Sequence, residues 1–112
     1  MTAVLATLLA GAVGAALRFL VTRAYAERPG RAVLVVNVAG SALGGALLAL
    51  TSGDLRLILL TGFCGGLTTF STFSVETIQL VMTGKARLAA LSVLANLALG
   101  IGTAAAIYLL LR

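Results

Sequence analysis

With 112 residues, 61% of them hydrophobic and only 10% charged, and with a mean hydropathy of +1.15, the chain is far too apolar for a soluble domain and reads as a small integral membrane protein. Its net charge is +5, but the basic residues lie between apolar blocks and form no stripe that a nucleic acid could follow, so no nucleic-acid partner is expected. One Cys, no His and three carboxylates are too few for a His/Cys metal site, a disulfide framework or a Ser-His-Asp triad, which argues against enzyme chemistry.

Four apolar blocks follow one another, at about 2–22, 32–50, 55–82 and 88–111, each near or above the roughly 20 residues a helix needs to cross a bilayer. The predicted architecture is all-α: a single transmembrane domain over residues 1–112 with four membrane-spanning helices. The connections are short, with Pro29 and Gly30 turning the first, Ser52-Gly53-Asp54 the second and Gly84-Lys85 the third. Ala24-Tyr25-Ala26 resembles a signal-peptidase site, but the block before it lacks a basic leader and carries Arg18 and Arg23 near its end, so it is read as a mature span. Arg23, Arg28, Arg31, Lys85 and Arg87 fall on the side of the first and third loops, against Arg56 and Arg112 on the other. Basic residues favour the cytoplasm, and five against two is a modest bias in favour of one orientation.

In the first span, Gly11, Gly14 and Ala15 offer a small-residue face for close helix contact. Arg18, one turn short of the polar end, either snorkels to the interface or attracts anions at a pore mouth. The second span carries Asn37, whose amide needs a polar partner in hydrocarbon. Either it bonds across helices, with Gly40 and Gly44 allowing close approach, or its NH2 donates to something passing through.

The third span is unlike an ordinary membrane helix. Its middle, Gly62-Phe63-Cys64-Gly65-Gly66-Leu67-Thr68-Thr69-Phe70-Ser71-Thr72-Phe73-Ser74, is crowded with Gly and β-branched Thr, and a break is expected there. Non-helical backbone at membrane depth persists only where it is buried in protein or lines a polar cavity, so this stretch should line a site. Phe70 and Phe73, three apart, are expected on one helix face, beside the hydroxyls of Ser71, Thr72 and Ser74. Glu76, further along the same span, is a functional candidate as an intramembrane carboxylate. In the fourth span Ser92, Asn96 and Gly100 recur every fourth residue and form one polar or small stripe. That stripe suits helix packing and a polar pathway equally.

Gly-x-x-Gly-x-x-Thr-Thr-Phe-Ser-Thr-Phe in a third span, after an Asn-x-x-Gly-Ser second span and an Arg near the end of the first, resembles the Fluc/CrcB family of fluoride channels, and the resemblance covers essentially the whole chain. It implies a passive fluoride-selective channel in the inner cell membrane, built as an antiparallel, dual-topology homodimer with two pores along the subunit interface and a central structural sodium ion. Carried onto this sequence, the backbone carbonyls of Gly65 and Thr68 would hold the sodium. Phe70 and Phe73 would face the fluoride, Asn37 would donate to it, and Ser71, Thr72 and Glu76 would continue the polar track. Ser92 and Asn96 would match fourth-span positions near the pore, and Arg18 the basic residue near the vestibule. An oppositely oriented paralogous subunit is the alternative to the homodimer. It is less expected, because this chain retains both phenyls, Asn37 and the sodium turn.

The nearest rival is a small multidrug exporter, also a four-span antiparallel dimer, but its proton exchange needs a first-span carboxylate, and the first span here has neither Asp nor Glu. A helical assembly factor would account for the Gly and Ala faces but not for Asn37 or the hydroxyl cluster.

Overall fold

The computed structural model describes residues 1–112, except for the side chain of Pro29. Its ordered elements are helical. They are α1 (Thr2–Ala24), α2 (Pro29–Leu50), α3 (Gly53–Arg56), a π-helical segment (Leu57–Cys64), α4 (Gly65–Leu67), α5 (Ser71–Met82) and α6 (Ala86–Leu111). Four helical stretches are long and apolar enough to cross a membrane: Thr2–Ala24, Gly30–Leu50, Gly53–Met82 and Ala86–Leu111. The molecule extends 47 Å along its longest axis.

Each of these spans agrees with the sequence reading at one end and is longer by two residues at the other, or by three where α2 is counted from Pro29. Pro29 opens α2 instead of turning the first loop, because the first helical position has no intrahelical use for an N–H and suits the fixed φ of proline. Gly53, at φ +59°, opens the single turn α3, so that Asp54 is helical and not in the loop. The third connection is as expected: Gly84 sits at φ +80° and ends α5 by a double closure. Its N–H bonds to Val81 O and that of Lys85 to Leu80 O, the Schellman arrangement that glycine favours.

The Gly53–Met82 stretch is not uniformly α-helical. Leu57–Cys64 is wound as a π-helix, a rare form frequent near functional sites. Thr68 is extended (φ −81°, ψ 159°), and α5 begins only at Ser71. Phe70, at φ −87° and ψ −36°, stands at the very start of the helix that carries Phe73, and the two rings lie side by side as their spacing suggested.

Packing joins α1 to the π-segment and α4, and α2 to α6. The first seam is backbone against backbone. A Cβ on Gly14 would collide with Phe63 O, one on Gly66 with Gly11 O, and one on Gly62 would lie 2.6 Å from Thr7 O. Small residues let helices approach this closely where lipid supplies no hydrophobic drive. On the second seam a Cβ on Gly45 would strike Ala104 O. The buried apolar set is small (Ala32, Val33, Val36, Leu47, Cys64, Leu67 and Ala89), while long side chains such as Leu8, Leu9, Leu94 and Ile101 point outward. An apolar exterior around a small core is what lipid as solvent permits.

Candidate functional site

The site is assembled around Thr69, the buried polar residue between α4 and α5. Because the chain leaves the helical path at Thr68, the backbone N–H and C=O of Thr69 need outside partners. Asn37 of α2 supplies both: its Oδ1 accepts the Thr69 N–H at 2.8 Å and its Nδ2 donates to Thr69 O at 3.1 Å. The same Nδ2 lies 3.4 Å from Asn96 Oδ1, and Asn96 Nδ2 donates back along α6 to Ser92 O at 2.9 Å. The Thr69 hydroxyl oxygen accepts the Thr72 N–H at 3.2 Å, capping the first turn of α5, and is 3.4 Å from Ser71 Oγ. Of the two readings left open for Asn37, bonding between helices is the geometry observed.

A cavity of 340 Å³ borders this clasp, lined by Asn37, Ser41, Thr68, Phe70, Phe73 and Asn96 among others. The two rings stand with centroids 6.2 Å apart and planes at 47°, and Phe70 is 79% exposed. A larger cavity of 650 Å³ lies between the loop ends of α2, α5 and α6, where Arg28, Arg31 and Lys85 stand with Glu76, Ser92 and Asn96. Asn96 lines both cavities.

Arg18 and Thr72 are placed elsewhere. They line a separate 340 Å³ cavity with Thr22, Val33 and Val36, which has Thr69 in common with the first. Arg18 does not line the cavity of Arg28, Arg31 and Lys85; its Nε donates to Gly66 O at 3.1 Å. Gly65 and Thr68 line a further cavity against Gly40, Gly44 and Gly100. They offer backbone carbonyls, hard oxygen donors of the kind that alkali and alkaline-earth cations take.

Thr69 is the residue that sequence reasoning missed. One signal was present: a hydroxyl residue three positions before Thr72, at the start of a helical run, is an N-cap pattern. Its bond to Asn37, across 32 residues, had no such signal.

The model of a family described as CrcB-like protein, Camphor Resistance (CrcB), matches residues 5–108. The chain belongs to the CrcB family. Among its relatives, a protein of Geobacter sulfurreducens named fluoride-specific ion channel FluC is 44% identical over 109 residues, covering 88% of each chain. Fluoride-specific ion channel FluC 1 of Yersinia pseudotuberculosis is 43% identical over 104 residues, covering 84% of this chain and 81% of its own. A protein of the same name from Nocardia farcinica is 44% identical over 100 residues, covering 85% and 70%. With four helices long enough to span a bilayer, this CrcB chain is a multi-pass membrane protein.

Proposed function

We propose that the chain conducts fluoride passively and selectively out of the cell across the inner membrane, as an antiparallel homodimer with two pores and a central structural sodium ion. The observation that carries this reading is the polar clasp of Asn37, Thr69 and Asn96 beside the Phe70–Phe73 pair, in which Asn96 lines both the phenyl cavity and the cavity that holds Arg28, Arg31 and Lys85. The names of the relatives supply the ion.

At the mouth, Arg28, Arg31 and Lys85 outnumber Glu27 and Glu76, and the excess of positive charge favours anions. Fluoride is small and strongly hydrated, so a selective path must replace its water with compact donors. Serine and threonine hydroxyls and amide N–H groups are such donors, and Ser92, Asn96 and Ser71 are assigned to that track, with Glu76 beside it, whereas Thr72, expected on the same track, lines the cavity of Arg18. Asn37 donates next. Its bond to Asn96, at 3.4 Å, is longer than an ordinary N–H···O contact, so this bond is the one a passing anion displaces, while the bonds to Thr69 persist. The phenyl edges of Phe70 and Phe73 carry partial positive charge and touch the anion without trapping it. Arg18, bound to Gly66 O, adds positive potential from the other side of the third span.

The interruption at Thr68–Phe70 is read as a break of the third span at membrane depth. Two features support a second copy there. Phe70 is 79% exposed, although it lines a cavity with Asn37, Thr69 and Asn96. The carbonyls of Gly65 and Thr68 have lost the N–H donors an α-helix would give them, those of Thr69 and Thr72, to Asn37 and to Thr69 Oγ1. Such carbonyls fit a hard cation, and two oxygens from one chain are too few to hold it. The same pair from an antiparallel copy completes the set. A bound sodium would supply fixed positive charge that ties the subunits together.

The test is efflux from liposomes containing only this protein, read with a fluoride electrode and compared with chloride under the same gradient. Fast fluoride release with little chloride release is expected. Phe70→Ile and Phe73→Ile should each lower the flux while the dimer stays assembled, and full flux in both would remove the phenyls from the mechanism. A reporter fused after Arg112 should appear on both sides of the membrane. Its appearance on one side alone would replace the homodimer with a pair of paralogous subunits.

A further inference from the structure

We infer that Thr69 is a positioning residue that decides which backbone carbonyls the third span offers to a cation. This inference rests on the sodium reading above. In an uninterrupted α-helix the N–H of Thr69 would bond to Gly65 O and that of Thr72 to Thr68 O, each four residues back. Here the Thr69 N–H goes to Asn37 Oδ1 at 2.8 Å, and the Thr72 N–H to Thr69 Oγ1 at 3.2 Å. Both diversions pass through Thr69, one through its backbone and one through its side chain.

The neighbouring carbonyl is treated differently. Gly66 O is filled by Arg18 Nε at 3.1 Å, so the bonds around the turn occupy Gly66 and leave Gly65 and Thr68, with Leu67 between them, without their helical donors. The released side is open at Gly65, where a Cβ would meet nothing nearer than Leu60 O at 4.0 Å. Asn37 is held in turn by Asn96 of α6, which lines both the phenyl cavity and the cavity of Arg28, Arg31 and Lys85. Phe70 follows Thr69 directly in the chain, so its ring and the released carbonyls depend on the same clasp. Thr69 therefore links the cation turn to the ion path, with its hydroxyl as the element that can be removed alone.

The experiment is a sodium titration of the thermal unfolding midpoint of the purified full chain in detergent, with N-methylglucamine replacing sodium. Thr69→Val keeps the shape of the side chain and removes the acceptor for the Thr72 N–H. It is expected to raise the sodium concentration for half-maximal stabilisation about tenfold, the scale of one lost hydrogen bond, while Thr69→Ser stays within about twofold of the wild type. A residue needed only for packing would lower the midpoint without sodium and leave the sodium concentration unmoved. By reciprocity of linked equilibria, sodium must also slow amide hydrogen exchange at Thr69 and Thr72 in the unaltered protein. That measurement decides the matter even where the Val variant does not fold.

An unchanged sodium midpoint in Thr69→Val, or exchange at these amides that is indifferent to sodium, overturns the inference. A wild-type protein that sodium does not stabilise overturns both the inference and the sodium site. Fluoride release from liposomes, measured on the same preparation, then tells that failure from a failure of the channel reading.

Discussion

Replacing Asn37 by Leu removes an amide that serves two backbone groups of one buried residue. Thr69 N–H, now 2.8 Å from Asn37 Oδ1, and Thr69 O, 3.1 Å from Nδ2, would both be left without partners in a segment that has no helical alternative. An unpaired buried donor or acceptor costs about 1–3 kcal/mol, so the two together cost ~2–6 kcal/mol. Relief of the amide's own desolvation returns ~1–2 kcal/mol, leaving a net loss of about 1–4 kcal/mol. Asn96→Ala frees only one Asn37 N–H from a 3.4 Å contact and should cost less than ~1 kcal/mol. The assay is unfolding of the detergent-solubilised protein in mixed micelles of increasing sodium dodecyl sulfate, followed by circular dichroism, with both variants and the wild type at one sodium concentration. The reasoning is refuted if Asn37→Leu lies within about 0.5 kcal/mol of the wild type, or if Asn96→Ala proves the more costly of the two.

Gly66→Ala should be destabilising, because its Cβ would meet Gly11 C at 2.9 Å and Cα at 3.0 Å, backbone atoms that cannot swing aside, and overpacking costs about 1–3 kcal/mol. Gly102→Ala is the control: nothing lies within 4 Å of its Cβ position, and the change should fall within about 0.5 kcal/mol; equal unfolding midpoints for the two would contradict the close seam between α1 and the third span. Arg18→Gln keeps a nitrogen as far along the side chain as Arg18 Nε, so the bond to Gly66 O and the stability should be retained, whereas Arg18→Leu loses both. A fall in fluoride flux in the Gln variant assigns Arg18 an electrostatic part in conduction, and wild-type flux there limits it to holding the carbonyl. Gly84→Ala places a side chain at φ +80° and should cost roughly 1 kcal/mol through the αL strain at the end of α5, read as a lower unfolding midpoint with fluoride flux per folded protein unaltered.

What could be read in advance was local. The lengths of the apolar runs determine the four spans, since a bilayer accepts only helices of sufficient length whose backbone bonds are internal. Gly11 and Gly14 marked a close-packing face, and Gly84 marked the end of α5, because a missing Cβ has the same meaning wherever the neighbour comes from. The family motif in the third span lies in one continuous stretch and was legible for that reason. Polar residues within the spans were also legible as groups in need of partners, lipid having none to offer. The choice of partner was not. Asn37 meets Thr69 across 32 residues and Arg18 meets Gly66 across 48, and neither composition nor periodicity encodes such pairs. Only the packed helices decided that Thr69 is the hub and that Arg18 and Thr72 line a different cavity from the phenyl pair. The physical reason is range: helix length and turn chemistry are properties of a few consecutive residues, whereas a hydrogen bond about 3 Å long between two helices exists only once the whole bundle has set their separation and rotation.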